Sequence, residues 1–203
     1  MNYRLCLSLL LVFVSGVNAQ TLRIGLAEDP DALDPTLART FVGRIVFSAL
    51  CDKLFDLDEK LNLVPQLATS YAWSADNKAL TLKLRPGVVF HDGEKMDAAA
   101  VKYSLERHKN MAGSSRRGEL APVASVDVVD PLTVRLNLSA PFAPLLAVLT
   151  DRAGMIVSPK AAQAASFSFS AARDCPSRSK ASGALALVSY RVDTLRKFSA
   201  ASR

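Results

Sequence analysis

Hydrophobic and polar positions alternate most regularly between Leu80 and Arg107, LTLKLRPGVVFHDGEKMDAAAVKYSLER. Leu80, Leu82 and Leu84 interleave with Thr81, Lys83 and Arg85, the period of a half-buried strand. Pro86-Gly87 turns the chain, Val88 to Phe90 is a short second apolar run, and Asp92-Gly93 turns it again. Asp97 then stands where a helix N-cap belongs, ahead of the good helix formers AAAVKYSLER. Val101, Leu105 and His108 fall on one face of that helix.

The flanking pattern is of the same mixed kind. Thr21 to Ala27 alternates Leu22, Ile24 and Leu26 and predicts a strand, which the acid- and proline-rich EDPDALDP (Glu28 to Pro35) must end as an exposed loop. From Thr36 to Phe55 the pattern becomes helical. Phe41, Ile45 and Ala49 form one stripe, with Val42, Val46 and Leu50 beside it. Leu61 to Val64 is a short apolar run stopped by Pro65, and Gln66 to Trp73 supplies a hairpin partner for Leu80 to Leu84. Asn110 to Glu119 is rich in Gly, Ser and Arg and predicts a mobile, solvated loop that includes Arg116-Arg117. Val126 to Val129 and Leu132 to Leu138 make a second hairpin across Asp130-Pro131. A short helix to Leu149, a brief strand at Met155 to Val157 and a helix opened by Ser158-Pro159 follow. The class is α/β, mixed α+β with hairpins.

Composition changes this picture at the two ends. Arg4, the apolar Leu5 to Val14 and the small-residue site Val17-Asn18-Ala19 read as a cleavable signal peptide, residues 1–19, and so as export to the periplasm. The apolar run is too short for a span of roughly 20 residues. The formal net charge is +6, but 20–165 carries 17 residues of each sign. The excess comes from 166–203, with seven Lys/Arg against two Asp/Glu, and from Arg4. No nucleic-acid partner is therefore expected from global charge.

Candidate chemistry is sparse. His91-Asp92-Gly93-Glu94 has too few ligands for a metal and reads as a tight turn; His108 reads as a packed histidine. There is no G-x-S-x-G, no Cys-His pairing and no phosphate loop. Neither a metal nor a cofactor is expected, and the chain is not expected to be an enzyme. Cys51 reads as an inert thiol in the first helix; its pairing with Cys175 is not decided by spacing.

Four fragments in order, LDP (Leu33 to Pro35), PQLATSYAWS (Pro65 to Ser74), LRPGVVFHDGEKMDAAAVKYSLER and VDVVDPLTVRLNL, resemble the periplasmic substrate-binding proteins of peptide- and nickel-type ABC importers. The resemblance runs from about Leu22 to Ala165. Ala99 and Ala100 stand where that family usually carries acids, a change that favours the helix. The resemblance implies part of the first lobe of a two-lobe fold with an inserted hairpin-and-helix subdomain. Lobe I supplies residues 20–55 and the subdomain 56–165. It further implies a monomer that closes on a peptide or similar small solute and docks on ABC permease subunits. Carried over by position, Glu28, Asp29, Pro30, Asp31 and Ala32 approach the ligand, which is held largely through main-chain hydrogen bonds. The bare alternative is a solvated loop whose acids keep it out of the sheet.

Family members are usually more than twice this length, so the expected product is a truncated form that binds nothing by itself. The Ser/Ala/Arg-rich tail, 166–203, breaks with the preceding composition and reads as out-of-frame translation or a truncation scar. An alternative function is a small exported interaction module whose basic tail binds anionic surface. Translating the other two frames of the DNA beyond residue 165 should give lobe-like strands in one of them. Random sequence in both removes the frameshift.

Overall fold

The computed structural model describes residues 24–164. Residues to Pro159 form one unit and Lys160 onward another; the described part of the latter, 160–164, is helical. The expected signal peptide, Cys175 and the basic tail lie outside the described residues.

In chain order the elements are α1 (Phe41–Leu50), β1 (Phe55–Leu57), β2 (Leu63–Pro65), β3 (Ala68–Trp73), β4 (Ala79–Leu84), α2 (Ala98–Asn110), β5 (Val123–Asp130), β6 (Thr133–Leu138), α3 (Leu145–Val148) and a 3-10 turn, Arg152–Gly154. β1 and β2 make a small antiparallel pair, and the other strands form one antiparallel sheet in the order β3-β4-β6-β5. The sheet is therefore two hairpins joined through β4 and β6.

The leucine alternation sets the buried face. Leu80 lies opposite Trp73 and Leu136, Leu82 opposite Tyr71 and Val134, and Val126 opposite Leu136. These leucines and Val134 are fully buried, together with Val101 and Leu105 of α2 in one cluster. Each such side chain contributes roughly 1.5–3 kcal/mol of burial free energy. Thr81 faces Arg135 on the opposite side of the sheet.

Local signals close the turns. Asp76 accepts hydrogen bonds from the Ser74 hydroxyl (2.6 Å) and the Lys78 N–H (3.1 Å) in the β3–β4 turn. In the expected His91–Glu94 turn, Asp92 accepts from the Glu94 N–H (3.1 Å). Gly93 there takes φ +86°, a conformation open to glycine. Asp97 caps α2 by accepting from the Ala100 N–H at 2.9 Å, and Arg107, His108 and Lys109 fill its last turn.

Four expectations fail. Met155 to Val157 is no strand, since only Met155 makes an isolated bridge, to Lys53. The described part of the N-terminal strand, Ile24 to Ala27, is irregular. Ile24 is 73% and Leu26 41% exposed: alternation makes a strand only where a neighbour supplies ladder partners, and none does among the described residues. The first helix starts at Phe41, not Thr36, because the Asp34 carbonyl takes the Leu37 and Ala38 N–H groups in a separate turn (3.1 and 2.9 Å). Thr40 then acts as the N-cap, its hydroxyl accepting from the Gly43 N–H at 3.1 Å. Within α1 the buried residues are Val42, Gly43 and Phe47; the expected Phe41–Ile45–Ala49 stripe is exposed, Phe41 to 69%. The neighbouring Val42–Val46–Leu50 stripe is covered only in part, Leu50 being 36% exposed; the helix instead turns Val42 and Phe47 inward, Phe47 against Ala38 and Met155.

The last is the loop after α2. Arg116 is 5% exposed, not solvated. The Ser115 N–H donates to the Thr36 carbonyl (2.9 Å) and the Ser115 hydroxyl to the Leu37 carbonyl (2.9 Å), so the loop is pinned to the N-terminal segment.

Leu136→Ala should cost about 2–5 kcal/mol in urea unfolding, whereas Phe41→Ala should stay within about 0.5 kcal/mol. Comparable losses at both positions would contradict the assigned faces.

Candidate functional site

The segment from Glu28 to Thr40 is built by side chains that bond backbone rather than by a ladder. Glu28 and Asp29 are exposed and Pro30 is half-buried. Asp31 is turned to local use: one oxygen accepts from the Arg39 N–H at 2.8 Å and the other from the Thr40 hydroxyl at 2.9 Å. The Arg39 amide in particular holds its carboxyl below the usual range. Ala32 packs against the small Ala38–Phe47–Met155 cluster. Of the five residues expected to approach ligand, Glu28 and Asp29 therefore face solvent. Asp31 and Ala32 help hold the loop itself.

Asp34 anchors the segment to α2. Its carboxylate takes a forked pair of bonds from Arg107 Nη1 (3.0 Å) and Nη2 (2.6 Å), and also accepts from the Thr36 N–H at 2.9 Å. Burial raises the Asp34 pKa, but the Arg107 bonds and the amide outweigh it and hold the carboxyl low. Arg107 Nη1 also donates to the Thr36 hydroxyl. Thr36 Oγ1 lies 2.9 Å from His108 Nδ1, and His108 Nε2 lies 2.9 Å from the Met155 carbonyl. A carbonyl only accepts, so Nε2 carries the proton, and in the neutral ring Nδ1 accepts from Thr36. The line therefore has one direction, from guanidinium through hydroxyl and imidazole to carbonyl.

His108 is fully buried. Burial above all, opposed by the Met155 bond, pushes its pKa down to about 4. Cys51, at the C-cap of α1 and half-buried, is free. Burial, then Asp52 and Asp34, push its thiol up to about 11, which keeps it unreactive at neutral pH.

Beside the loop lies a group of arginines that periodicity does not signal. Arg116 Nη2 and Arg152 Nη1 both donate to the Ala38 carbonyl, at 3.1 and 3.0 Å, and Arg152 Nη1 reaches the Thr40 carbonyl at 3.3 Å. Arg116 pairs with Glu119, and Arg44 pairs with Asp151 at 2.6 Å. Arg152 is set by the 3-10 turn, where a Cβ on Gly154 would lie 1.9 Å from the Leu149 carbonyl oxygen, so only glycine fits. One arginine of the Arg116-Arg117 pair in a Gly/Ser loop and another after a short helix are not linked by sequence spacing; their convergence is a product of the fold.

Comparison with known proteins agrees with this architecture. The sequence profile described as "Bacterial extracellular solute-binding proteins, family 5 Middle" matches residues 62–183, past the Ala165 at which the motif resemblance stops. The "Glutathione-binding protein GsiB" of Pectobacterium atrosepticum is 37% identical over 131 residues, covering 64% of this chain and 26% of that protein. The chain thus spans about a quarter of that relative's length. Among solved structures, the periplasmic binding protein AgaA from A. tumefaciens R10, in complex with agropinic acid, superposes with a TM-score of 0.62. It is 33% identical, over 75% of this chain and 30% of that one. NikZ from Campylobacter jejuni in complex with Ni(L-His) has a TM-score of 0.56 at 29% identity, over 63% of this chain and 25% of that one. The mixed α/β arrangement is that of part of a periplasmic-binding-protein fold.

Since the folded pKa of His108 lies below its ordinary value of 6.5, the unfolded chain takes up that proton first. Stability should fall as pH drops from about 6.5 to about 4, by about 3 kcal/mol in all, and this contribution should level off below. His108→Gln should remove that slope in unfolding measured across the window. An unchanged slope would place the titration elsewhere.

Proposed function

The chain belongs to the family 5 bacterial extracellular solute-binding proteins, and from that premise we propose that it serves the solute-capturing step of an ABC importer, with peptides as solute. What carries the peptide reading is the segment from Glu28 to Ala32. It has no ladder partner among the described residues, and its own Asp31 and Ala32 hold it in place while two acidic side chains stay in solvent. An exposed loop outside any ladder leaves main-chain groups for an extended peptide, which is held mainly by main-chain hydrogen bonds. Exposed carboxylates suit its amino terminus. The name of the glutathione-binding relative supports a small peptide as solute. The names of the agropinic acid and Ni(L-His) complexes mark opines and nickel chelates as the competing classes.

Glu28, Asp29, Pro30, Asp31 and Ala32 are assigned to the solute-facing edge, Glu28 and Asp29 by charge, the others by shaping the loop. The permease is the proposed partner and the periplasm the proposed compartment, which the names of the relatives support. Binding of solute is the role, rather than its conversion.

A chimera tests this directly. Residues 24–164 replace the matching quarter of the glutathione-binding relative, and the purified protein is titrated calorimetrically with glutathione and with a di- and tripeptide pool. Saturable binding is expected, with the Glu28→Ala/Asp29→Ala form weaker by about tenfold, the size of one charged hydrogen bond. A folded, exported chimera that takes no peptide would sink the peptide reading.

A further inference from the structure

A cavity of about 330 Å³ opens between the β3–β4 turn and the segment that follows β6, lined by Trp73, Asn77, Pro141, Phe142 and Ala143. None of these residues belongs to the Glu28–Thr40 segment, so the cavity is separate from the proposed solute-facing edge. Its volume is at the low end of the roughly 300–1,000 Å³ usual for small-molecule sites, room for about one ring and its substituents.

The walls are fixed by backbone. In the turn, the Asn77 main-chain N–H donates to the Ser74 carbonyl (2.9 Å) and the Ser74 N–H to the Ala79 carbonyl (2.9 Å). The Ala79 N–H in turn donates to the Ser74 hydroxyl (2.9 Å). Asn77 takes φ +53°, a left-handed conformation that asparagine adopts more readily than most residues. Across the cavity, Pro141 and Pro144 stand on either side of Phe142, whose carbonyl accepts from the Leu145 N–H at the start of α3 (3.2 Å). The two walls are joined directly, the Leu138 N–H donating to the Lys78 carbonyl at 2.8 Å. Trp73 and Phe142 are half-buried and pack against the main core, so both rings are held before any ligand arrives.

The lining carries no charge: two aromatic rings, a proline, a small alanine and one amide. The Asn77 side-chain amide and the Trp73 indole N–H have no hydrogen-bond partner among the described residues. Aromatic faces take the apolar face of a ligand ring, while the amide and the indole N–H call for polar groups at its rim. A charged ligand would lose water there without gaining a counter-charge. A plain hydrocarbon or aromatic ring would cover both polar groups and leave them unpaired, which costs free energy. A pyranose has the required two sides, C–H groups on its faces and hydroxyls around its edge. An acetamido substituent adds a carbonyl and an N–H, the complement of both halves of the Asn77 amide.

We propose that this cavity is a second binding site, for a pyranose carrying an acetamido group, used independently of solute capture at the Glu28–Ala32 loop. Such rings occur as free amino sugars and as units of glycan strands, and the cavity takes one ring in either case.

Trp73 is the single tryptophan of the chain, so its indole N–H gives one NMR signal that reports on this cavity alone. The 15N-labelled full chain is titrated with N-acetylglucosamine, with glucose, and with N-acetylprolinamide, a saturated ring with amides but no hydroxyls. A saturable shift of the Trp73 signal is expected with N-acetylglucosamine, its midpoint at least about fivefold below that of either control. Asn77→Gly keeps the left-handed backbone open and removes the amide. Its midpoint should rise by about fivefold, the size of one neutral hydrogen bond. No saturable shift with N-acetylglucosamine, or equally tight binding of glucose or N-acetylprolinamide, overturns the proposal. So does an Asn77→Gly form that unfolds like the wild type and binds the sugar as well. Tri-N-acetylchitotriose separates the two sources: binding tighter than the monomer assigns a glycan strand, equal binding a free amino sugar. Peptide binding by the chimera is read separately, as heat, so neither result decides the other.

Discussion

One buried hydrogen-bonded line fixes how the N-terminal segment meets the rest of the chain: Arg107 to Asp34 and Thr36, Thr36 to His108, His108 to the Met155 carbonyl. The segment has little apolar surface to hold it, mainly Ala32 and Ala38 against Phe47 and Met155. Its position is set by polar groups whose partners must all be present. A satisfied buried network specifies one geometry and a broken one leaves several unpaired groups at once. Neutral histidine is essential to the line's polarity, because a doubly protonated ring would present a donor where the Thr36 hydroxyl now donates.

The larger core works differently. Under the four-stranded sheet, leucine and valine from β4, β5, β6 and α2 interlock with few polar atoms, and the energy is non-directional. Polar groups there manage the edge. Lys102 donates to the Val126 carbonyl at 2.6 Å, and Lys109 reaches the Val123 and Ala124 carbonyls. The outer backbone of β5 is thereby covered by side chains of α2, which blunts an edge that could otherwise recruit another strand.

What sequence reveals follows from this division. The alternation of Leu80, Leu82 and Leu84, the Asp97 cap and the Asp92-Gly93 turn are local, and each appears where periodicity and turn chemistry put it. The face of α1 was not legible, because the helix is apolar nearly all round and the buried side is set around Phe47 by Ala38 and by Met155, more than a hundred residues on. Arg116 fails for a related reason. In a Gly/Ser loop a solvated arginine is the ordinary case, and only the Ala38 carbonyl and Glu119 make burial tolerable. Within the candidate site the acidic loop was legible as a loop. The division of its acids between anchoring and solvent depended on Arg39, Thr40 and Arg107, which sequence distance does not reveal.

The two polar regions share one stretch of backbone. Asp34 gives its carbonyl to the Ala38 N–H, and Ala38 gives its own carbonyl to both buried guanidiniums. Thr36, between them, gives its carbonyl to Ser115 in the loop that carries Arg116. Moving this stretch therefore changes the histidine line and the arginine group together, since neither has a second set of partners. Coupling requires an element on which both sites make different contacts in different arrangements, and Asp34–Thr40 is placed to be that element.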